Sequence, residues 1–178
     1  MALTLDGKTA RTENHFPDWT GSADKKLFAR LSKQSGVVIM GSRTFDTIGA
    51  PLPNRKNVVL TRNKDRRSDW PDLVYTAEPP KTILANLEAE GFSEAILAGG
   101  TSVNTLFAAQ GLIDEIIVTI SPMIFGRGLS LFNEEIAMPL ELEAVEQIDL
   151  RVVCLRYRVP KEGRQSGPPP TMYREALF

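Results

Sequence analysis

The chain is poor in several residue types, and each shortage excludes a class of protein. It has one cysteine and one histidine in 178 residues, so an internal disulfide and a Cys/His metal cluster are excluded. Its 21 lysines and arginines nearly balance its 22 aspartates and glutamates. The resulting net charge of −1 argues against a nucleic-acid or anionic-membrane partner. No apolar run approaches the ~18 residues of a membrane span.

What remains is the composition of an ordinary globular domain. Cys154 lies in an alternating strand pattern and is interpreted as a buried, inert thiol. No basic and apolar leader opens the sequence, which predicts a cytoplasmic protein. A chain of this length can bury roughly 70% of its unfolded surface in a single core. We therefore expect one domain over residues 1–160 and a tail, rich in proline and glycine, over residues 161–178.

Short β-branched runs alternate with amphipathic stretches along the chain. This order predicts an α/β domain with a mostly parallel central sheet of about eight strands and helices on both faces. No helical pattern separates the last two strands, so a C-terminal antiparallel hairpin is expected. Strands are predicted near residues 1–5, 36–40, 57–61, 73–76, 95–98, 113–120, 140–148 and 150–158, and helices near residues 22–34, 42–48, 80–90 and 101–110.

Residues 37–62 carry the most informative pattern. Two β-branched runs bracket Gly41, a hydroxyl-led helical turn and a rigid Pro-x-Pro loop at residues 51–53. A glycine between a strand and a helix lets a phosphate approach the backbone, where the first helical N–H groups are free. Ser42 and Thr44 are predicted to cap this helix. The pattern therefore indicates an anion site where the first of the two strands ends.

A second predicted strand ends in the same way. The run at residues 95–98 leads into Gly99 and Gly100, and Thr101 opens the next predicted helix. Two strand–glycine–helix units in one small sheet suit a dinucleotide better than a single phosphate. The sequence alone therefore favours a nucleotide-binding sheet.

Asp24 is the candidate catalytic residue. In the helix predicted near residues 22–34 it precedes Leu27, Phe28 and Leu31 by three, four and seven positions, which puts a carboxylate on the apolar face. An acidic residue in a first turn is also stabilised by the helix dipole alone. Its position by itself therefore leaves a structural and a functional interpretation open.

These patterns closely resemble dihydrofolate reductase. That family has a strand ending in Met-Gly, a Thr-(Phe/Trp)-x-x-Ile helix and the sequence Pro-Leu-Pro-x-Arg-x-Asn, as at residues 40–57 here. It also has Trp-x-x-x-x-Asp-x-x-x-Phe, which matches Trp19, Asp24 and Phe28. The resemblance implies a single-domain dihydrofolate-reductase-like fold and NADPH as the cofactor.

The resemblance also implies roles for individual residues. Asp24 would bind the amidine edge of a pterin with support from Thr119, and Arg55 would bind the glutamate carboxylate of folate. The catalytic candidates are Asp24, Thr119 and Trp19. The substrate-binding candidates are Phe28, Leu52, Arg55, Ile48 and Ala2.

The candidate cofactor site consists of the two glycine units and the end of the strand at residues 57–61. Arg62 is assigned to the 2′-phosphate of NADPH together with Ser42, and the resemblance implies a cis peptide between Gly99 and Gly100. No metal ligand is expected. The cofactor-binding candidates are Gly41, Ser42, Arg43, Thr44, Thr61, Arg62, Ala98, Gly99, Gly100, Thr101, Ser102 and Val103.

Other segments resemble the reductase domain of riboflavin biosynthesis proteins. Residues 5–10 look like its Ser-Leu-Asp-Gly-Lys-x-Ala start, and residues 111–115, 121–128 and 131–132 look like later parts of it. The two families share a fold and a nicotinamide cofactor, so the difference concerns the substrate. The combined resemblance covers about residues 1–159.

Asp24 and Arg55 favour folate, as does the absence of the Ala-Asp-Asp-Pro-like stretch of the riboflavin reductases. The first hypothesis is an NADPH-dependent reductase of 7,8-dihydrofolate. The alternative is a reductase of a ribosylaminopyrimidine phosphate in riboflavin synthesis, with Lys8, Arg43 and Arg127 as phosphate-binding candidates. A non-catalytic binding module is the third. Each has a small-molecule partner, without nucleic acid or membrane, in a monomer or homodimer.

Overall fold

The computed structural model describes residues 1–161, and almost all of the predicted tail lies outside that range. The elements are β1 (Ala2–Thr4), β2 (Lys8–Ala10), α1 (Gly21–Ser35), β3 (Val37–Gly41), α2 (Ser42–Ile48), β4 (Lys56–Leu60), β5 (Leu73–Thr76), α3 (Pro80–Ala89), β6 (Ile96–Gly99), α4 (Thr101–Ala108), β7 (Glu115–Ser121), β8 (Leu129–Ser130), β9 (Glu141–Asp149) and β10 (Val152–Arg158).

Hydrogen bonds join eight of these strands into two ladders of four. The order β5-β4-β3-β6 is parallel throughout. In the order β1-β7-β10-β9, the β1–β7 pair is parallel and the other two pairs are antiparallel. The predicted α/β fold and C-terminal hairpin are thus confirmed, although the eight strands are divided between two ladders.

Both faces of β3 are covered, because its residues alternate between two apolar clusters. Val37 and Ile39 pack with side chains of α3 and α4, whereas Val38 and Met40 pack with side chains of α1 and α2. All four are at most 1% exposed. A parallel strand buried on both faces needs a continuous apolar sequence, which explains why this strand is readily predicted.

The buried face of α1 differs from the predicted apolar face. Ser32 and Ser35 are its buried residues, whereas Leu27, Phe28 and Leu31 are half-buried. The serines can be buried because their hydroxyls donate to backbone carbonyls, Ser32 to Phe28 at 2.6 Å and Ser35 to the start of β3 at 2.8 Å. The apolar side chains of α1 therefore remain partly accessible.

The predicted caps of α2 are wrong. Gly41 is the N-cap residue, with extended backbone, and Ser42 and Thr44 lie inside the helix. Gly100 occupies the same position before α4. No side chain caps either helix start, so the first N–H groups of both helices are free to meet another acceptor.

The sequence patterns miss β2 and β8, which are too short to show alternation. They pair antiparallel, with Lys8 opposite Ser130 and Ala10 opposite Leu129. Gly128, just before β8, allows the close approach of the two backbones. A Cβ at this glycine would lie 2.4 Å from the carbonyl oxygen of Ala10.

Gly128→Ala should therefore destabilise the protein by about 1–3 kcal/mol, because the added methyl group forces β2 and β8 apart. Ser130→Ala is the matched control: it removes only a 3.2 Å hydrogen bond from Lys8 Nζ and should change stability by less than ~0.5 kcal/mol. Thermal and urea unfolding measure both variants. Equal stabilities of the two variants would contradict the close packing of Gly128 against the backbone of Ala10.

Candidate active site

A carboxylate–hydroxyl pair joins α1 to β7. Thr119 Oγ1 donates to Asp24 Oδ1 at 2.7 Å, and Thr119 is 2% exposed. Asp24 lies in the first turn of α1 and is half-buried. The threonine fixes one carboxylate oxygen and leaves acceptor capacity on the carboxylate for a ligand. The contact that the resemblance implies is present, and the catalytic role of the pair stays a prediction.

The loop before α1 meets the loop after β7 at Phe125. The rings of Trp19 and Phe125 pack edge to face with centroids 5.1 Å apart. His15 lies 5.5 Å from the same ring, and the Arg11 guanidinium lies 4.3 Å from its centroid. Sequence reasoning misses Phe125 because one aromatic residue in a loop carries no periodic signal.

Asp6 holds the Phe125 loop in place. Its carboxylate accepts hydrogen bonds from the Thr4 hydroxyl (2.5 Å) and from the backbone N–H groups of Phe125 (3.2 Å) and Gly126 (2.7 Å). These hydrogen bonds, led by that of Thr4, lower the pKa of Asp6 to about 2. The segment that resembles the riboflavin reductases therefore positions the aromatic loop.

Asn57 folds the Pro-x-Pro loop around itself. This fully buried side chain accepts from Leu52 N and donates to the carbonyl oxygens of Leu52 and Arg55, each at 2.9 Å. The asparagine of the Pro-Leu-Pro-x-Arg-x-Asn sequence thus acts on the shape of the loop, a role that the sequence pattern does not assign.

Arg55 is only 6% exposed. Its Nε donates to Pro53 O at 3.0 Å and its Nη1 donates to Ser32 Oγ. Burial lowers the pKa of the guanidinium, which nevertheless stays charged at neutral pH. Within residues 1–161, Nη2 makes no hydrogen bond to the protein, so one corner of the guanidinium can meet an anionic ligand.

The other substrate-binding candidates surround these groups. Ala2 is opposite Thr119 in the β1–β7 register. Phe28 and Leu52 pack against the same apolar cluster beside β3. Ile48 ends α2 and is 38% exposed. The structure therefore places one candidate beside the Asp24–Thr119 pair and gives two others a shared apolar surface.

The two strand–glycine–helix units lie side by side. Met40 is opposite Gly99 in the β3–β6 register, and a Cβ on Gly41 would lie 3.8 Å from Gly100 N. The Gly99–Gly100 peptide is cis. A Cβ on Gly100 would lie 3.3 Å from Thr44 Oγ1. Backbone without side chains, next to two helix starts, fits the phosphates of a dinucleotide.

The remaining cofactor candidates on α4 and β6 differ in exposure. Val103 is buried in the core, and Thr101 Oγ1 donates to Ser130 O at 3.0 Å. Ser102 is exposed in the first turn of α4, and Ala98 precedes Gly99 in β6. Of these side chains, the Ser102 hydroxyl is the one open to a ligand, whereas Thr101 and Val103 fix the helix start.

The basic side chains on α2 and after β4 make different contacts. Arg43 forms an ion pair with Glu13 at 2.7 Å. Arg66 binds Asp46 through two hydrogen bonds, which lower the pKa of that carboxyl. Arg62 is exposed directly after Thr61 at the end of β4. Arg62 therefore keeps its place as the candidate for a cofactor phosphate.

The candidates for a substrate phosphate do not all lie together. Lys8 is in β2 and donates to Ser130 in β8, and Arg127 is exposed one residue before Gly128. Arg43 is on α2. Of the three cations, Lys8 lies on the small β2–β8 sheet and Arg127 lies in the loop that leads into it.

The described part of the chain holds no group of three or more His, Cys, Asp or Glu side chains that could bind a metal ion. None of the helices in residues 1–161 could cross a membrane. Cys154 is buried, as predicted, and burial raises the pKa of its thiol.

Comparison with known protein families identifies the family of this chain. The family model described as RibD C-terminal domain matches residues 1–154. The chain therefore belongs to the RibD C-terminal domain family, whose members have a fold like that of dihydrofolate reductase.

Two curated relatives show how the likeness is distributed. The uncharacterized protein YwjB of Bacillus subtilis is 27% identical over 143 residues, which is 75% of this chain and 80% of that protein. The dihydrofolate reductase of Staphylococcus aureus is 39% identical over 66 residues, 37% of this chain and 40% of the enzyme. The sequence identity to dihydrofolate reductase is higher than that to YwjB, but it extends over a shorter part of the chain.

Solved structures agree on the fold. A putative riboflavin biosynthesis protein from Shewanella sp. PV-4 has a TM-score of 0.74 at 22% identity, over 90% of this chain and 97% of that one. A deaminase/5-amino-6-(5-phosphoribosylamino)uracil reductase from Thermotoga maritima has a TM-score of 0.70 at 17% identity, over 89% of this chain. This chain spans 55% of the Thermotoga protein.

Asp6→Asn should lower the melting temperature in a pH-dependent way. Because the folded-state pKa of Asp6 is about 2 and the unfolded value is about 3.9, the ionised carboxylate stabilises the fold above pH ~4, and this contribution is lost as pH falls toward ~2. The difference from wild type should shrink over that window in thermal unfolding experiments. Asp149→Asn, on the exposed strand β9, is the control. If the melting-temperature difference between Asp6→Asn and wild type stays constant with pH, the ionised Asp6 carboxylate does not hold the Phe125 loop in place.

Proposed function

We propose that this protein is an NADPH-dependent reductase of a C=N bond, with the 5-amino-6-(5-phosphoribosylamino)uracil of riboflavin synthesis as its substrate. The C=N bond is that of the imine formed when the ribose ring of this substrate opens; hydride adds to the sugar carbon and a proton to the nitrogen. The observation that carries the proposal is that the Asp24–Thr119 pair lies close to the backbone of Gly99. Thr119 N donates to Met1 O at 2.9 Å, and a Cβ on Gly99 would lie 3.0 Å from Met1 Cε. Met1 therefore lies between Thr119, which belongs to the candidate ring-binding pair, and Gly99, which belongs to the candidate phosphate-binding backbone.

The extent of the likeness supports the pyrimidine substrate. The family match covers residues 1–154, whereas the likeness to the staphylococcal dihydrofolate reductase covers 37% of the chain. Lys8, on β2, and Arg127, in the loop before β8, supply positive charge for a substrate phosphate. These features reverse the order of the two substrates that the sequence patterns favour.

Dihydrofolate is the second candidate, because one arrangement specifically favours it. Asp24 is held by Thr119, Phe28 shares an apolar surface with Leu52, and Arg55 offers Nη2. A carboxylate, an aromatic ring and a guanidinium in this order suit a pterin that carries a glutamate tail.

When bound, NADPH supplies hydride from C4 of its nicotinamide ring. The free N–H groups that open α2 and α4 would bind its pyrophosphate, and Arg62 with Ser42 would bind its 2′-phosphate. Asp24 would accept hydrogen bonds from the ring edge of the substrate, and Thr119 would keep the carboxylate oriented. Trp19 and Phe125 would cover the ring and exclude water.

The deciding experiment is NADPH oxidation, measured separately with the pyrimidine phosphate and with dihydrofolate. We expect faster turnover of the pyrimidine phosphate. Turnover of dihydrofolate alone would move the assignment to the second candidate. If neither substrate is turned over while NADPH binds in a titration, the reductase proposal is wrong and a binding module is left.

Asp24→Asn should lower turnover at least ~100-fold and leave folding and NADPH affinity unchanged, because the carboxylate that binds and orients the substrate ring is lost. Steady-state kinetics and cofactor titration test this. Asp149→Asn on β9 is the control for a lost carboxylate far from the site. Wild-type turnover in the Asp24 variant would remove Asp24 from the mechanism.

Arg55→Ala separates the two substrates. If Arg55 binds a glutamate carboxylate, the variant should raise KM for dihydrofolate and lower kcat less, since the contact is made in ground and transition states alike. A loss of ~1.5–3 kcal/mol corresponds to roughly 10- to 150-fold in kcat/KM.

A bare pterin is the control substrate for this variant, and Ser32→Ala is the control for the lost structural hydrogen bond. Equal losses on both pterin substrates would mean that Arg55 only supports the loop at residues 51–55.

A further inference from the structure

Two buried polar atoms of residues 1–161 have no hydrogen-bond partner, Trp19 Nε1 and Ser121 Oγ. Ser121 is 1% exposed. A buried donor left without a partner costs ~1–3 kcal/mol, and such atoms in native proteins usually meet a water molecule or a ligand. Neither residue uses its polar atom in the fold, so both are available for binding.

Both residues lie on segments that border the candidate active site. Ser121 follows Thr119 by two residues in β7, so both side chains are on the face that Asp24 contacts. Trp19 packs on Phe125, four residues beyond Ser121. Thr4, opposite Ser121 in the β1–β7 register, already uses its hydroxyl on Asp6. It therefore does not satisfy Ser121.

Resting on the proposed function, we propose that Ser121 is a specificity-determining residue: its hydroxyl and the Trp19 indole N–H together bind the ring carbonyl oxygen of the substrate. Asp24 accepts hydrogen bonds from ring N–H groups, whereas Ser121 and Trp19 donate. Acceptor and donors side by side match a lactam, in which N–H and C=O are adjacent. A water molecule takes the place of the carbonyl oxygen in the free protein.

This arrangement selects heterocycles with an oxo group beside an N–H, which both candidate substrates have. A ring that lacks the oxo group would leave the two buried donors unpaired, so the site should reject it by at least ~10-fold. Ser121→Ala removes one donor and should weaken that discrimination without lowering the melting temperature, because no hydrogen bond of the fold is lost.

The test is calorimetric titration of two ring pairs, with no turnover required. 5,6-Diaminouracil is compared with 4,5-diaminopyrimidine, and 2-amino-4-oxopteridine with 2-aminopteridine; the second ring of each pair has no oxo group. Wild type should prefer the oxo ring of at least one pair by ~10-fold or more. Ser121→Ala should reduce the preference to less than ~3-fold, and Ser121→Thr, which keeps a hydroxyl, should retain it.

Ser35→Ala is the control, since Ser35 is buried but already donates within the fold. It should lower the melting temperature and keep the ring preference. Failure of wild type to bind any oxo ring, or an unchanged preference in Ser121→Ala, would overturn the inference. Absence of NADPH oxidation alongside an intact ring preference would instead sink only the proposed function.

The indole N–H signal gives an independent readout. The chain has two tryptophans, and Trp70 is 63% exposed, so its NMR resonance is an internal reference. Binding of an oxo ring should shift the Trp19 resonance in wild type, and Ser121→Ala should shift it already in the free protein, with Trp70 unmoved. A Trp19 resonance insensitive to both changes would contradict a shared oxygen.

Discussion

The burial of β3 on both faces governs the rest of the structure. A strand covered on both sides has no room for polar side chains along its length, so its contribution to chemistry is confined to its end. Here that end is Gly41, next to Gly99 and Gly100 on the neighbouring strand. The same packing that stabilises the core therefore places bare backbone and two helix starts at one edge of the sheet.

The groups around that edge are held by buried or clamped polar side chains rather than by apolar packing. Asn57 shapes the loop that presents Leu52 and Arg55, and Asp6 fixes the loop that presents Phe125. The first lies in the segment that resembles dihydrofolate reductase and the second in a segment that resembles the riboflavin reductases. The chain thus combines a loop whose sequence resembles dihydrofolate reductase with a loop whose position depends on a segment that resembles the riboflavin reductases.

The sequence predicts what depends on periodicity and on glycine. The apolar run of β3 and the C-terminal hairpin are both present. The contact of Asp24 with Thr119 is also present, but it is the resemblance to dihydrofolate reductase that implies it. The sequence does not predict features that are determined by single contacts between residues far apart in the chain. The short strands β2 and β8 and the burial of Ser32 instead of the apolar residues of α1 depend on neighbours distant in sequence. The likeness to dihydrofolate reductase covers a part of the chain and favours dihydrofolate as the substrate. The family match over residues 1–154 favours the pyrimidine phosphate.

The outer strand β9 affects how the molecule behaves in a concentrated solution. It is the last strand of its ladder, so its outer backbone groups could pair with another chain. Glu143, Glu146 and Asp149 are exposed along it, and two such edges brought together would set carboxylate against carboxylate. Repulsion between these carboxylates opposes the pairing of two copies through β9.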